Sequence, residues 1–330
     1  MTTTIAPRSS IPDPRPAPPG PRRRHILDLD EFTRDEIGEI LETTASMKEV
    51  LGRSIPQAPV LRGTTVINMF FEESTRTRIS FELAARALSA SVVSMSAKGS
   101  SVEKGESLLD TMRTLQALGA SILVMRHREA GAPYLVAQHF KGSVINAGDG
   151  RHAHPTQALL DLFTIQERLG RIEGLKVVIV GDILHSRVAR SNIWGLSTMG
   201  AHVTLCAPQT LLGPAAHWQA TWPKLKISTD LDESLAEADV IMTLRLQKER
   251  QEAGLLPSLR EYSRFFGISA ERVRLAMPHC LVMHPGPMNE GVEIMPDVAT
   301  SAQSVIEQQV TNGVAVRMAL LYRLAGEEKV

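Results

Sequence analysis

Ser74-Thr75-Arg76-Thr77-Arg78 packs three hydroxyls and two guanidiniums into consecutive positions. These residues stand between an apolar run, Thr65–Phe71, and an amphipathic one, Ile79–Leu88, so the pattern reads as strand, polar turn, helix. A helix N-terminus presents free N–H groups and the positive end of the helix dipole. Hydroxyls and forked guanidiniums gathered there converge on an anion, most naturally a phosphate. The plain alternative is an N-cap flanked by solvated arginines. Other polar groups also sit at the ends of apolar runs: Arg126 behind Ser121–Met125, Asp182 behind Val177–Gly181, and Arg245 behind Val240–Leu244. Arg187, near a helix start, and Arg245 would together suit a substrate with two carboxylates.

Three motifs invite a different chemistry and do not sustain it. His152-Ala153-His154 has a metal-like spacing, but zinc needs three or four ligands, and no third His, Cys or carboxylate clusters beside it in the sequence. His154, before Pro155 at a helix start, is better placed to donate a hydrogen bond to a polarised oxygen. Gly99–Glu106 is a polar loop with one lysine, which could hold phosphate or simply be solvated. It lacks the spacing of a Walker A loop. The turn Gly181–Arg187 follows a strand as in dinucleotide-binding units, yet the pyrophosphate-hugging glycines are missing, which argues against a nicotinamide cofactor.

The elements that must carry these groups alternate. Thr33–Glu36 fits a capping box and opens a helix to about Leu51. Strands are expected at Thr65–Phe71, Val92–Met95, Ile122–Arg126, Ser143–Asn146, Val177–Gly181, His202–Cys206, Val240–Leu244 and Leu281–His284. Helices are expected at Arg76–Leu88, Ser107–Leu118, Pro155–Leu169 and Ser186–Met199, with a last one from about Ala302 to Leu324. Short apolar strands separated by helices imply an α/β fold of two doubly wound parallel-sheet domains, with the site in the cleft between them.

A chain of 330 residues has room for two such domains, and its 43% apolar content supplies ordinary cores. Lys+Arg and Asp+Glu are equal at 36 each, which argues against nucleic-acid and membrane-surface partners. No apolar run is long enough to span a bilayer. Cys206 and Cys280 read as buried small hydrophobes in a reducing, cytoplasmic setting. Residues 1–24 hold seven of the 19 prolines and five arginines, and read as a disordered tail.

At this point the chain resembles a known family. Phe70–Arg78 is similar to the carbamoyl-phosphate motif of the carbamoyltransferases. The likeness continues through Arg126-His127, His154–Gln157 and Asp161–Phe163, covering about residues 25–325. Arg245–Arg250 and His284-Pro285-Gly286-Pro287 resemble the aspartate branch. The ornithine branch is the nearest competitor. His279-Cys280-Leu281 mimics part of its His-Cys-Leu-Pro signature, but Val282 stands where proline would follow.

The resemblance implies transfer of a carbamoyl group from carbamoyl phosphate to L-aspartate, a step of pyrimidine synthesis, without metal or organic cofactor. It implies that Ser74, Thr75, Arg76, Thr77 and Arg126 hold the phosphate. Thr77, Arg126 and His154 would polarise the carbonyl oxygen. Gln157 and the carbonyls of Pro285 and Gly286 would hold the carbamoyl nitrogen, and Arg187, Arg245 and Gln247 would hold aspartate. Glu72 would pair with Arg187 or Arg250, and Arg78 would drop out of the contacts. The resemblance further implies a homotrimer in which Ser100 and Lys104 come from the neighbouring chain, with a regulatory chain or a dihydroorotase as conceivable partners. It divides the chain into residues 25–155 plus the C-terminal helix at about 305–330, which bind carbamoyl phosphate, and residues 156–304, which bind aspartate. Gly286 stands where some members carry a larger apolar residue, which the resemblance treats as harmless because only the backbone is used.

Overall fold

The computed structural model describes residues 23–96, 105–213, 215–222, 224–246, 255 and 258–325. The first unit runs α1 (Arg34–Leu51), β1 (Thr65–Phe70), α2 (Thr75–Ala87), β2 (Ser91–Ser96), α3 (Leu108–Ala117), β3 (Ile122–His127), α4 (Ala132–His139) and β4 (Ser143–Asp149). Helix α5 (Pro155–Leu169) leads to β5 (Lys176–Val180), α6 (Arg187–Thr198), β6 (His202–Cys206), α7 (Gln209–Leu212) and α8 (Ala215–Thr221). Then come β7 (Lys226–Ser228), α9 (Leu231–Leu235), β8 (Val240–Thr243), α10 (Leu259–Phe266), α11 (Ala270–Val273), β9 (Leu281–Met283), α12 (Pro296–Ala299) and α13 (Ile306–Ala325).

Both sheets are parallel, ordered β2-β1-β3-β4 and β7-β6-β5-β8-β9. In each, the chain winds first to one side of its opening strand and then to the other. The switch points therefore fall between β1 and β3 and between β5 and β8, where ligands of open sheets bind. These are the strands whose ends carry Ser74–Thr77, Arg126, Arg187 and Arg245. A core shared by the facing sides of the two sheets runs through Leu159, Leu162, Ile193, Leu196 and Leu320 of α5, α6 and α13. Separate apolar clusters cover the far side of each sheet. Helix α13 packs on α1, α2 and α5. Among the described residues no helix is long and apolar enough to cross a membrane.

The expected capping box is present: Thr33 Oγ1 accepts from the Glu36 N–H and Glu36 Oε2 accepts from the Thr33 N–H at 2.8 Å. Cys206 and Cys280 are free and buried. Arg126 lies in β3 as expected, one residue before its end, beside a register irregularity between Met125 and His127 that can turn its side chain toward the strand ends. The structure departs from expectation at three places. Strand β7 carries no strand signal in the sequence because it is three residues long and two of the three, Lys226 and Ser228, are polar. Helix α13 starts at Ile306, because the segment before it forms a turn and Ser304 bridges to Val282. Arg23 and Arg24, counted with the tail, are engaged: Arg23 pairs with Glu36 at 2.8 Å and Arg24 donates to the Phe140 carbonyl at 3.3 Å.

Candidate active site

A cavity of about 1130 Å3 opens where the two switch points face each other. The first sheet supplies Ser74–Thr77 at the start of α2. Ser74 holds the N-cap position in extended backbone, yet its hydroxyl makes no capping hydrogen bond, which removes the plain reading of this residue. Thr77 is buried. Burial lowers the Arg76 pKa, and the nearby charge of Arg245 lowers it further. Like charges brought together from two sheets mark a place where an anion is wanted. Arg78 pairs with Glu82 at 3.9 Å and is not among the residues lining the cavity.

Glu72 joins the two sides. Its Oε1 accepts from Arg126 Nη2 at 2.6 Å and from Arg187 Nη2 at 2.5 Å, and its Oε2 accepts from Arg187 Nη1 at 3.0 Å. Arg126 also donates to the Ala147 carbonyl, and Arg187 to the Gly150 carbonyl. Gly148 makes this crossing possible. It sits at φ +118°, and a Cβ there would meet the Arg187 guanidinium at 3.0 Å and Arg126 Nη1 at 3.2 Å. Glu72 was expected to pair with Arg187 or Arg250; the structure pairs it with Arg187 and adds Arg126, while Arg250 lies outside the described residues.

His154 is the N-cap residue of α5, buried, with its backbone N–H donated to Ser191 Oγ at 2.9 Å. Burial first, then the charges of Arg126, Arg187 and Arg317, push its pKa well below the usual histidine range, so the ring stays neutral. His152 turns elsewhere, to Asp149 at 3.1 Å, which disposes of a paired metal motif. His284 is held down to about 3, by burial first and then by Arg76 and Arg245. Its Nδ1 accepts from the Gly286 N–H at 2.7 Å, closing the turn Pro285–Pro287 over the cavity. Gly286 has φ +63°, and a Cβ there would lie 2.1 Å from Arg76 Nη1. Position 286 thus carries a steric condition that the sequence reading did not assign.

The structure brings Ser74, Thr75, Arg76, Thr77, Arg126, His154, Gln157, Arg187, Arg245, Pro285 and Gly286 to one cavity. Ser100, Lys104, Gln247 and Arg250 lie outside the described residues. His279 pairs with Asp239 at 2.7 Å and Cys280 is buried ahead of β9, so the ornithine-like tripeptide is a lead-in to a strand. Sequence reasoning missed Arg128 and the α13 residues Gln309 and Arg317 as cavity residues. Arg317 is buried, donates to the Gly313 carbonyl at 2.8 Å and lies over the Phe81 ring at 5.1 Å; burial pulls its pKa down to about 10. Its only sequence signal is a charge inside an otherwise apolar helix face.

Residues 24–167 match the family model described as aspartate/ornithine carbamoyltransferase, carbamoyl-P binding domain, and residues 173–324 match that family's Asp/Orn binding domain. The chain belongs to the aspartate/ornithine carbamoyltransferase family. Among curated relatives in this family, the aspartate carbamoyltransferase catalytic subunit of Roseiflexus sp. (strain RS-1) is 80% identical over 93% of this chain and 96% of its own length. That of Chloroflexus aurantiacus (strain J-10-fl) is 71% identical over 92% and 99%. Among solved carbamoyltransferases, the catalytic subunit of M. jannaschii aspartate transcarbamoylase superposes with TM-score 0.82 at 35% identity, covering 93% of this chain and 99% of that one. Aspartate transcarbamoylase from Trypanosoma cruzi, in complex with carbamoyl phosphate and aspartate, gives 0.80 at 32% identity, covering 91% and 96%.

Proposed function

We propose that this chain transfers the carbamoyl group of carbamoyl phosphate to the amine of L-aspartate, giving N-carbamoyl-L-aspartate and phosphate. The observation that carries the choice of acceptor is the lining contributed by the second sheet. Among the described residues it brings Arg187 and Arg245 to the cavity and no carboxylate. Aspartate's two carboxylates are welcome there, and the side-chain ammonium of ornithine is not.

In this reading the phosphate sits at the α2 N-terminus on Ser74, Thr75, Arg76, Thr77 and Arg126. Thr77, Arg126 and neutral His154 donate to the carbonyl oxygen as it gains charge. Gln157 and the Pro285 and Gly286 carbonyls accept from the carbamoyl nitrogen. Arg187 and Arg245, with Gln247, hold the acceptor so that its amine faces the carbonyl carbon. The amine adds, a tetrahedral intermediate forms, and the C–O bond to phosphate breaks. The departing phosphate takes the amine proton, since no side chain at the centre is an evident base. Rate enhancement then comes from positioning and from fixed dipoles. Residues 25–155 with α13 form the carbamoyl-phosphate half and residues 156–304 the aspartate half, because α13 returns to α1 and α2 although it follows the second sheet in sequence.

The assembly is a homotrimer, with Ser100 and Lys104 reaching a neighbour's cleft, and the chain works in the cytoplasm. Ile79 and Leu83 of α2 and Val93 on edge strand β2 support the trimer: each is about half exposed, at 44%, 52% and 55%. A transfer assay with radiolabelled carbamoyl phosphate tests the assignment. Labelled carbamoyl-aspartate should form and carbamoyl-ornithine should not. Turnover of ornithine in place of aspartate would overturn it.

A further inference from the structure

Asp161 lies one helical turn beyond Gln157 on α5 and is 1% exposed. Its Oδ1 accepts from Gln157 Nε2 at 3.0 Å and from Gln309 Nε2 at 2.8 Å, and its Oδ2 accepts from Asn192 Nδ2 at 2.8 Å. One carboxylate thus ties together amides from α5, α13 and α6. An ionised carboxylate only accepts hydrogen bonds, so each amide must turn its nitrogen toward it. An amide's two ends are otherwise nearly interchangeable in shape. With Nε2 committed, the oxygen is the end that Gln157 has left to offer the cavity it lines.

Gln309 extends the same constraint. With its nitrogen on Asp161, its Oε1 accepts from the His284 N–H at 3.0 Å. The Gly286 N–H is taken by His284 Nδ1, and Pro285 and Pro287 have no N–H to give. The turn over the cavity therefore has carbonyl oxygens to present and no donors. Asp161 turns Gln157 Oε1 toward the cavity, where it joins the backbone carbonyls of Pro285 and Gly286 as a third acceptor.

We propose that Asp161 is a positioning residue that sets the amide orientation of Gln157 and Gln309, and through it makes the cleft select an acyl group bearing –NH2 over one bearing –CH3. This rests on the carbamoyl-transfer reading above. Acetyl phosphate, which differs from carbamoyl phosphate by methyl in place of amino, is the discriminating probe. A site whose buried polar groups are built for an N–H strongly rejects the analogue that lacks it.

The test is Asp161→Asn, which keeps size and removes the acceptor-only character, letting Gln157 and Gln309 turn over. Steady-state KM for carbamoyl phosphate and the inhibition constant of acetyl phosphate are measured at about pH 8, where the carboxyl of the unaltered protein is ionised despite a pKa raised to about 6 by burial. The preference for carbamoyl over acetyl phosphate should fall at least about tenfold, while inhibition by inorganic phosphate stays within about threefold. If the single variant does not fold, the exchanged pair Asp161→Asn with Gln309→Glu keeps a carboxylate in the knot and still frees Gln157, so the same fall is expected. An unchanged preference ratio in the folded variant, whatever its loss of thermal stability, would reduce Asp161 to a structural role and overturn the proposal. Absence of carbamoyl transfer in the unaltered enzyme would instead remove the functional reading, so the two failures are distinct.

Discussion

Neutral His154 and the shared carboxylate of Glu72 show how single residues set the chemistry. A histidine facing Arg126, Arg187 and Arg317 from a buried N-cap cannot hold a proton, so it is a hydrogen-bond donor and not an acid. The sign for stability follows. Its folded pKa lies below the ordinary value of about 6.5, so the unfolded chain takes up a proton that the folded chain refuses. The stabilisation is fully present above about pH 6.5 and is lost as the pH falls below it. His154→Ala should lower kcat by about 10²- to 10³-fold with little change in carbamoyl-phosphate affinity, the pattern of a lost oxyanion donor. The same variant should lose less stability than the unaltered protein between neutral pH and pH 5, followed by urea titration. Unchanged turnover would take His154 out of the mechanism.

Among elements, the readable ones were those whose local pattern suffices. Val177–Val180 and Val240–Thr243 are short apolar runs bounded by polar turns, and their ends carry the arginines that a switch point requires. Ser74–Thr77 was legible because a strand, a hydroxyl-rich turn and a helix are contiguous in sequence. What could not be read depends on packing between distant segments. Gln309 and Arg317 meet Asp161 and Phe81 only because α13 returns across the molecule, and no periodicity in α13 reports that. The Glu72–Arg126 bond likewise depends on where the β3 irregularity points a side chain. The turn after β9 is the element most exposed to a single change. Gly286→Ala would put a side chain in left-handed backbone, costing about 1–2 kcal/mol, and would push against Arg76. The fold should survive, since the guanidinium can shift. Affinity for phosphate and carbamoyl phosphate, measured by calorimetric titration, should weaken by about fivefold or more. Wild-type affinity would mean that Arg76 does not need its place under the turn.

At the scale of the whole molecule the open question is whether each catalytic centre belongs to one chain. The described cavity already gathers six arginines against two glutamates, Glu72 and Glu73, so it does not lack positive charge. In this reading the neighbour's Lys104 would add reach, from a segment that follows in sequence an edge strand with exposed residues on both faces. Such an edge, with Ile79, Leu83 and Val93 beside it, is a surface that another subunit would cover. In the proposed trimer, a ring of three heterologous contacts would place one borrowed segment at each cleft. Lys104→Ala and Arg187→Ala chains should each be nearly inactive when pure. Dissociated, mixed in equal amounts and reassembled, they form some clefts that take Arg187 from one parent and Lys104 from the other. With random assortment about a quarter of clefts are wholly wild type, so activity should return to as much as about a quarter of normal. If each centre were built from a single chain, every centre would keep one defect and mixing would restore nothing. Dilution below the assembly threshold should abolish the recovered activity and leave the chains folded, and activity that survives as separated chains would argue against a shared centre.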